Sequence, residues 1–294
     1  GQTYDIEVEE LHEFFCEGYL THNSAQIAIG DPDDIEFLLA KRWDIGGVPS
    51  WRAMSNNSVA CDDIEDLHEL FWDTYLPDPQ GNPREPYGLI NLRLSRKIGR
   101  LGETEYDDPG VMGFNPCAEQ SLEPYETCCL SECFLPNIES QEELIDLLTL
   151  LYRINKHSLA LPCHHPETDA VVYKNMRMGI GMTGILQASS EQIDWLDEAY
   201  RYLREYDAQY SEANGFNPSI KLTTVKPSGT LSLLPGVTPG IHPGYSQYMY
   251  RRIRIAADHA LVDVCRKHGY PVEYQKNFDG KDDRNTVVVT FPFS

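Results

Sequence analysis

Apolar residues recur at helical spacing in several stretches of the chain and run at strand length in others. After Ser24, Ile27 and Ile29 lead through an Asp31-Pro32 turn to Ile35, Phe37, Leu38 and Leu39, which predicts a helix over 24–45. Residues 62–76 place Ile64, Leu67, Leu70 and Phe71 on one helical face. Residues 140–160 carry the strongest pattern. Ser140 is an N-cap with Glu143 three positions on, and Leu144, Leu147, Leu148, Leu151 and Ile154 form a stripe. Further helices are expected over 192–213, ended by Asn214-Gly215, and over 251–268, stopped by Gly269. Residues 46–60 are turn-rich, and Pro77 to Pro86 form a connection. Strands are expected at Tyr4 to Val8, Gly88 to Leu92 and Thr286 to Phe291, with strand, turn and strand over Thr223 to Leu234. Strands alternating with helices indicate the α/β class.

Composition narrows the class. The length of 294 residues allows one large domain or two ordinary ones, and 41% hydrophobic content supplies a core. No apolar run reaches membrane-spanning length, so no membrane partner is expected. The start, Gly1-Gln2-Thr3, has neither a basic segment nor an apolar one, and a cytoplasmic protein is expected. The net charge of −22 argues against a nucleic-acid surface, which needs clustered Lys and Arg. Nucleotides stay possible, because backbone N–H groups can bind phosphate inside an acidic protein. Of eight cysteines, Cys117, Cys128, Cys129 and Cys133 lie close together, which points to metal or thiol chemistry.

The first chemistry lies at Thr21-His22-Asn23-Ser24. An Asn side-chain amide can attack its own carbonyl carbon, close a succinimide and release the following Ser. A neighbouring His can protonate the leaving group. The Ser hydroxyl can first accept the upstream segment as an ester. With the alternating strand before it and His12 ten positions earlier, residues 1–23 resemble the C-terminal end of an intein; the plainer alternative is a hairpin carrying a chance tripeptide. The resemblance implies splicing at Asn23/Ser24 with His12 and His22 assisting. The intein's starting nucleophile is absent, so an N-terminal intein/enzyme portion is an expected partner. The abrupt stop after the last strand suggests truncation at both ends.

The second chemistry lies at Asn115-Pro116-Cys117-Ala118-Glu119, with Cys128 eleven positions after Cys117. In an extended loop alternate residues share a face, so Asn115, Cys117 and Glu119 would point one way. A thiol beside a carboxylate suits hydrogen-atom abstraction with acid/base assistance. This motif resembles the active-site loop of ribonucleotide reductases. So do His165 to Thr168, Arg177 to Ile185 (which looks like that family's helix start), Lys226 to Leu234, Gly240-Ile241-His242-Pro243 and Tyr250 to Arg254. The likeness runs through residues 24–294 and is nearer the adenosylcobalamin-dependent class II enzymes than the two-subunit iron class.

The resemblance implies an α/β fold: part of a ten-stranded barrel with a central active-site finger loop, preceded by a short β-rich intein remnant. Cys117 would carry the thiyl radical, Glu119 would take the 3′ hydroxyl proton, and Asn115 would hydrogen-bond the ribose. Cys128 would be one of two reducing cysteines. Ser24, Pro227, Ser228, Gly229, Thr230 and Leu231 would bind substrate, Gly229 by letting the backbone approach phosphate. Adenosylcobalamin would be the cofactor and no protein metal site is implied. A ribonucleotide would be substrate, a dNTP or ATP the effector, and thioredoxin or glutaredoxin the reductant.

Other readings compete. The chain could be a class I large-subunit fragment that depends on an iron subunit, or a segment acting only in trans-splicing. Cys129, Cys133, Cys163, His164 and His165 could hold zinc in a binding module or simply pack, though they lack a clean Cys-x-x-Cys knuckle. His242 and the Arg251-Arg252 pair could face phosphate or lie on a helix-start surface.

Overall fold

A computed structural model describes residues 13–16, 19–22, 27–48, 52, 55–82, 84–97, 108–229, 231–241, 248–276 and 280–293. The elements in chain order are β1 (Glu13–Cys16), β2 (Tyr19–His22), β3 (Ile27–Gly30), α1 (Ile35–Leu39), β4 (Asn56–Cys61), α2 (Glu69–Asp73), β5 (Gly88–Asn91), α3 (Leu92–Ser95), β6 (Gly113–Phe114) and β7 (Ser121–Leu122). There follow β8 (Leu130–Phe134), α4 (Gln141–Leu159), α5 (Pro166–Asn175), β9 (Gly179–Thr183), α6 (Ser190–Asn214), β10 (Thr223–Thr224), β11 (Met249–Ala256), α7 (Ala260–Lys267), β12 (Val272–Lys276) and β13 (Asp282–Phe293). The chain divides into two units, 1–128 with 162–175, and 129–161 with 176–294.

In the first unit β1 and β2 form an antiparallel hairpin. β3, β4 and β5 form a parallel sheet in that order, with α1 and α2 in the crossovers. The expected helix over 24–45 is therefore corrected. Ile27-Ala28-Ile29-Gly30 alternates with period two and pairs as a strand, and Asp31-Pro32 separates it from α1. Asp34 caps that helix by accepting the Phe37 N–H at 2.9 Å. Gly30 is required by packing, since a Cβ there would overlap the Phe37 ring. The single helix expected over 62–76 is also corrected. A 3₁₀ turn at Ile64–Asp66 ends before His68, whose Nδ1 accepts the Leu70 N–H at 3.1 Å and caps a new, shorter helix. Phe37, Leu38, Val59, Cys61, Leu67, Phe71 and Tyr87 form the core. The Tyr87 hydroxyl donates to the Phe37 carbonyl at 2.8 Å and accepts the Lys41 N–H, closing the end of α1.

In the second unit β8, β9 and β10 make a parallel sheet with β9 central. Arg177 to Ile185, expected to open a helix, instead contains β9. Gly179 and Gly181 account for this, because a Cβ on Gly179 would collide with Leu130 and Thr224 side chains. α4 begins where expected, with the Glu143 N–H donating to Ser140 Oγ at 3.2 Å. α6 begins with a capping box between Ser189 and Gln192 and ends at Gly215, whose φ is +72°. Lys156 and Asp207 are buried between these helices as an ion pair at 2.9 Å. The Tyr152 hydroxyl donates to the same carboxylate at 2.7 Å.

β11, β13 and β12 form an antiparallel sheet backed by α7, with Val262, Cys265, Val287 and Val289 as its core. The helix expected over 251–268 is thus half strand. Ile253 and Ile255 alternate with Arg252 and Arg254, and only residues after His259 are helical. The second strand expected before Leu234 is a 3₁₀ turn at Leu231–Leu233.

Candidate active site

Cys117 lies at the tip of a hairpin in the first unit. β6 and β7 pair Gly113 with Leu122 and Phe114 with Ser121. The Asn115 carbonyl accepts the Ala118 N–H at 2.8 Å, so Pro116 and Cys117 are the central residues of a β-turn. Proline's fixed φ suits the first of these positions. Ala118 then adopts a φ of +58°, a left-handed conformation that costs a non-glycine residue about 1–2 kcal/mol. The extended loop expected from sequence is therefore corrected, and alternation does not align the three groups. The Asn56 side-chain amide donates to the Pro116 carbonyl at 2.9 Å and ties the tip to the start of β4. Asn115 is buried, Glu119 half-buried and Cys117 exposed.

The segment leading to Cys128 is pinned to the end of α5. Glu123 accepts from Lys174 Nζ at 2.8 Å and Asn175 Nδ2 at 3.0 Å. Asn175 Nδ2 also donates to Glu126 at 3.0 Å, and the Glu123 N–H donates to Glu126 Oε2 at 2.7 Å. Tyr125 between them has a φ of +67° and is exposed. Cys128 carries an exposed thiol at the end of this loop. Cys133, in contrast, is buried in β8, and burial with nearby Glu143 pushes its pKa up to about 12.

The candidate phosphate loop, 226–231, lies in the second unit. Lys226 Nζ meets Glu132 Oε1 at 2.9 Å, and the Thr183 hydroxyl donates to Glu132 Oε2 at 2.8 Å. Burial pushes the Glu132 carboxyl up. Ser228, Lys226 and Thr183 outweigh it and hold the carboxyl below its ordinary range. Ser228 is buried with a φ of +53°, and its hydroxyl favours the Glu132 charge without making a hydrogen bond of good geometry. The left-handed residue of the loop is Ser228. The carbonyls of Lys226 and Pro227 accept the N–H groups of Ile241 (3.0 Å) and Gly240 (3.2 Å). The Ser228 carbonyl accepts the Ser232 N–H at 3.2 Å. Arg251 donates to the Gly229 carbonyl at 3.2 Å and to Ser232 Oγ at 2.8 Å, so it braces the loop from β11. Arg252 pairs with Glu273.

Sequence reasoning missed Glu132. Its signal is a carboxylate in the middle of a strand, Leu130-Ser131-Glu132-Cys133-Phe134, whose other residues are mostly apolar. Of the splicing residues, His22 stands opposite Glu13 in the β1–β2 hairpin. His12, Asn23 and Ser24 lie outside the described residues, as do Thr230 and His242. Among the described residues no three His, Cys, Asp or Glu side chains gather as a metal site, and no helix is long and apolar enough to cross a membrane.

No family model matches the chain. It is 37% identical over 277 residues, 92% of its length, to a probable adenosylcobalamin-dependent ribonucleoside-triphosphate reductase of Dictyostelium discoideum. It is 37% identical over 259 residues, 85% of its length, to the adenosylcobalamin-dependent ribonucleoside-triphosphate reductase of Euglena gracilis. The chain spans about a third of these relatives, 35% and 34% of their lengths. A crystal structure of a B-12 dependent (class II) ribonucleotide reductase superposes with a TM-score of 0.71 at 28% identity, covering 93% of this chain and 41% of that one. The class Id ribonucleotide reductase alpha subunit of Actinobacillus ureae, at 15% identity and a TM-score of 0.50, shares the fold alone.

Proposed function

We propose that residues 24–294 are a central segment of an adenosylcobalamin-dependent ribonucleoside-triphosphate reductase, and that residues 1–23 are the end of an intein removed at Asn23/Ser24. The observation that carries the reading is the hairpin tip. It exposes one thiol on a braced turn beside a buried carboxamide and a half-buried carboxylate, in a chain 37% identical to enzymes so named. The two three-stranded parallel sheets are read as parts of the ten-stranded barrel, with the hairpin as its finger loop. The similarity to the class I subunit supports fold only, so the iron-dependent alternative is not favoured.

The exposed Cys117 sulfur fits a radical generator that arrives from outside the hairpin. Bound adenosylcobalamin would supply a carbon-centred radical that takes the thiol hydrogen. The Cys117 thiyl then removes the 3′ hydrogen of the ribose, and Glu119 accepts the 3′ hydroxyl proton. The 2′ hydroxyl leaves as water. Two electrons come from Cys128 and a second thiol, which end as a disulfide, and the hydrogen held at Cys117 returns to the 3′ carbon. The net change is ribonucleotide plus two thiols to deoxyribonucleotide, disulfide and water. A thioredoxin-type protein or glutaredoxin would reduce the disulfide. The backbone N–H groups of residues 228–231 would meet the triphosphate, a nest geometry that Ser228 begins, while Pro227, which has no N–H, would shape the loop.

The test is CTP and CDP reduction by the full-length chain with and without adenosylcobalamin. Turnover that requires the cofactor and vanishes in Cys117→Ser supports the reading. Retained turnover in Cys117→Ser, or activity only on adding an iron-containing subunit, overturns it.

A further inference from the structure

Glu132 has no role in the chemistry proposed for the hairpin tip, yet it is the best-buried carboxylate around the candidate phosphate loop, with its side chain 2% exposed. Its two oxygens are used separately. One holds the ammonium of Lys226, the first residue of the loop, and the other holds the hydroxyl of Thr183 at the end of β9. The loop carbonyls at 226, 227, 228 and 229 all accept from protein donors, through Ile241, Gly240, Ser232 and Arg251. A peptide whose carbonyls are turned to the protein presents its N–H groups the other way. The left-handed Ser228 is the bend that makes this possible. Its buried hydroxyl favours the Glu132 charge, so the bend faces the same carboxylate as Lys226.

We infer that Glu132 is a positioning residue for the nucleotide's phosphates: it tethers Lys226 to the sheet, fixes the bend at Ser228, and neutralises the ammonium so that the backbone recognises the phosphate chain. The inference rests on the proposed reductase reading. An untethered Lys226 would let the first residues of the loop leave the sheet, and the array of N–H groups would lose its shape. The loss falls on phosphate binding rather than on the radical step, which uses other residues.

The experiment uses the full-length chain, with CTP affinity from equilibrium dialysis and CTP reduction measured on the same preparations. Glu132→Gln is expected to raise Kd and KM about tenfold with kcat within about threefold, the pattern of lost uniform binding. Glu132→Gln with Lys226→Gln restores a neutral tether and is expected to recover most of the affinity. Should Glu132→Gln fail to fold, Thr183→Val carries the test, with a rise in KM of about threefold that Thr183→Ser reverses. Unchanged KM in the variant that folds, or an equal rise in the double variant, overturns the inference while wild type still binds CTP. Wild-type protein that neither binds nor reduces CTP overturns the reductase reading and this inference with it.

Discussion

Asn115 and Gln120 close the hairpin tip reciprocally. The Asn115 N–H donates to the Gln120 carbonyl at 3.1 Å, and the Gln120 N–H donates to Asn115 Oδ1 at 3.0 Å. The side-chain oxygen of Asn115 is thereby engaged in holding the loop. In the proposed reaction any bond from Asn115 to a ribose would therefore come from the amide hydrogens. Asn115→Asp keeps the oxygen and loses those donors, so it should fold with a melting temperature near wild type and lose about tenfold or more in turnover. Asn115→Ala should lose both turnover and loop stability. Paired melting curves and kinetics distinguish the two.

Ala118 holds a left-handed φ next to the thiol. Ala118→Gly removes about 1–2 kcal/mol of strain, of which glycine's larger unfolded freedom returns about half. Urea unfolding should show a small gain in stability. Turnover should fall, because the turn that aims Cys117 becomes looser.

The buried Lys156–Asp207 pair supports the packing of α4 on α6. Burial pushes the Asp207 carboxyl up. Hydrogen bonds from Lys156 and Tyr152 and from the Ser219 N–H overcome this and hold it below the ordinary range. Its stabilisation is therefore complete above about pH 4 and lost as pH falls through the lowered pKa. Lys156→Met leaves the carboxylate buried without its counter-charge and should cost about 3–5 kcal/mol at pH 7. The cost should shrink in strong acid, as urea midpoints at the two pH values would show.

Gly240 lies against the loop root, where a Cβ would run into the Lys226 carbonyl oxygen. Gly240→Ala should destabilise by about 1–3 kcal/mol and weaken CTP binding together, because relief requires the loop to move. Gly229 has open space around its Cβ position, so Gly229→Ala should change stability far less.

Splicing and reduction should separate genetically. In the full precursor, Asn23→Ala should leave the C-terminal junction uncut on a denaturing gel. Cys117→Ser should splice at the wild-type rate and lose reduction. Normal cleavage in Asn23→Ala would refute the joint.

The long helices were legible because their signals are redundant. α4 and α6 each join a Ser cap to an extended apolar pattern, and α6 adds a glycine stop. Short strands were not. Ile27-Ala28-Ile29 and Ile253-Arg254-Ile255 carry only two apolar alternations, which a neighbouring helical stretch absorbs in a sequence reading. Pairing with β4 and β13 decides them, and those partners are distant in sequence. The residue types of the candidate active-site motif were legible as chemistry. Their arrangement was not, since nothing in Asn-Pro-Cys-Ala-Glu announces a left-handed Ala118. Glu132 shows in the sequence only as a charge within a short strand; its partners, Thr183 and Lys226, come together only in the folded sheet.

The burial of Cys133 has a consequence for oxidation of the chain. Thiol–disulfide exchange needs a thiolate, and a sulfur with a pKa of about 12 is ionised to about one part in 100,000 at pH 7. Cys133 is therefore a poor participant in thiol exchange, in contrast to Cys128, five positions earlier in the sequence, whose thiol is exposed. If Cys128 forms a disulfide in the proposed reaction, shuffling among its neighbours in sequence would fall to Cys129, because burial and the Glu143 charge keep the Cys133 sulfur protonated.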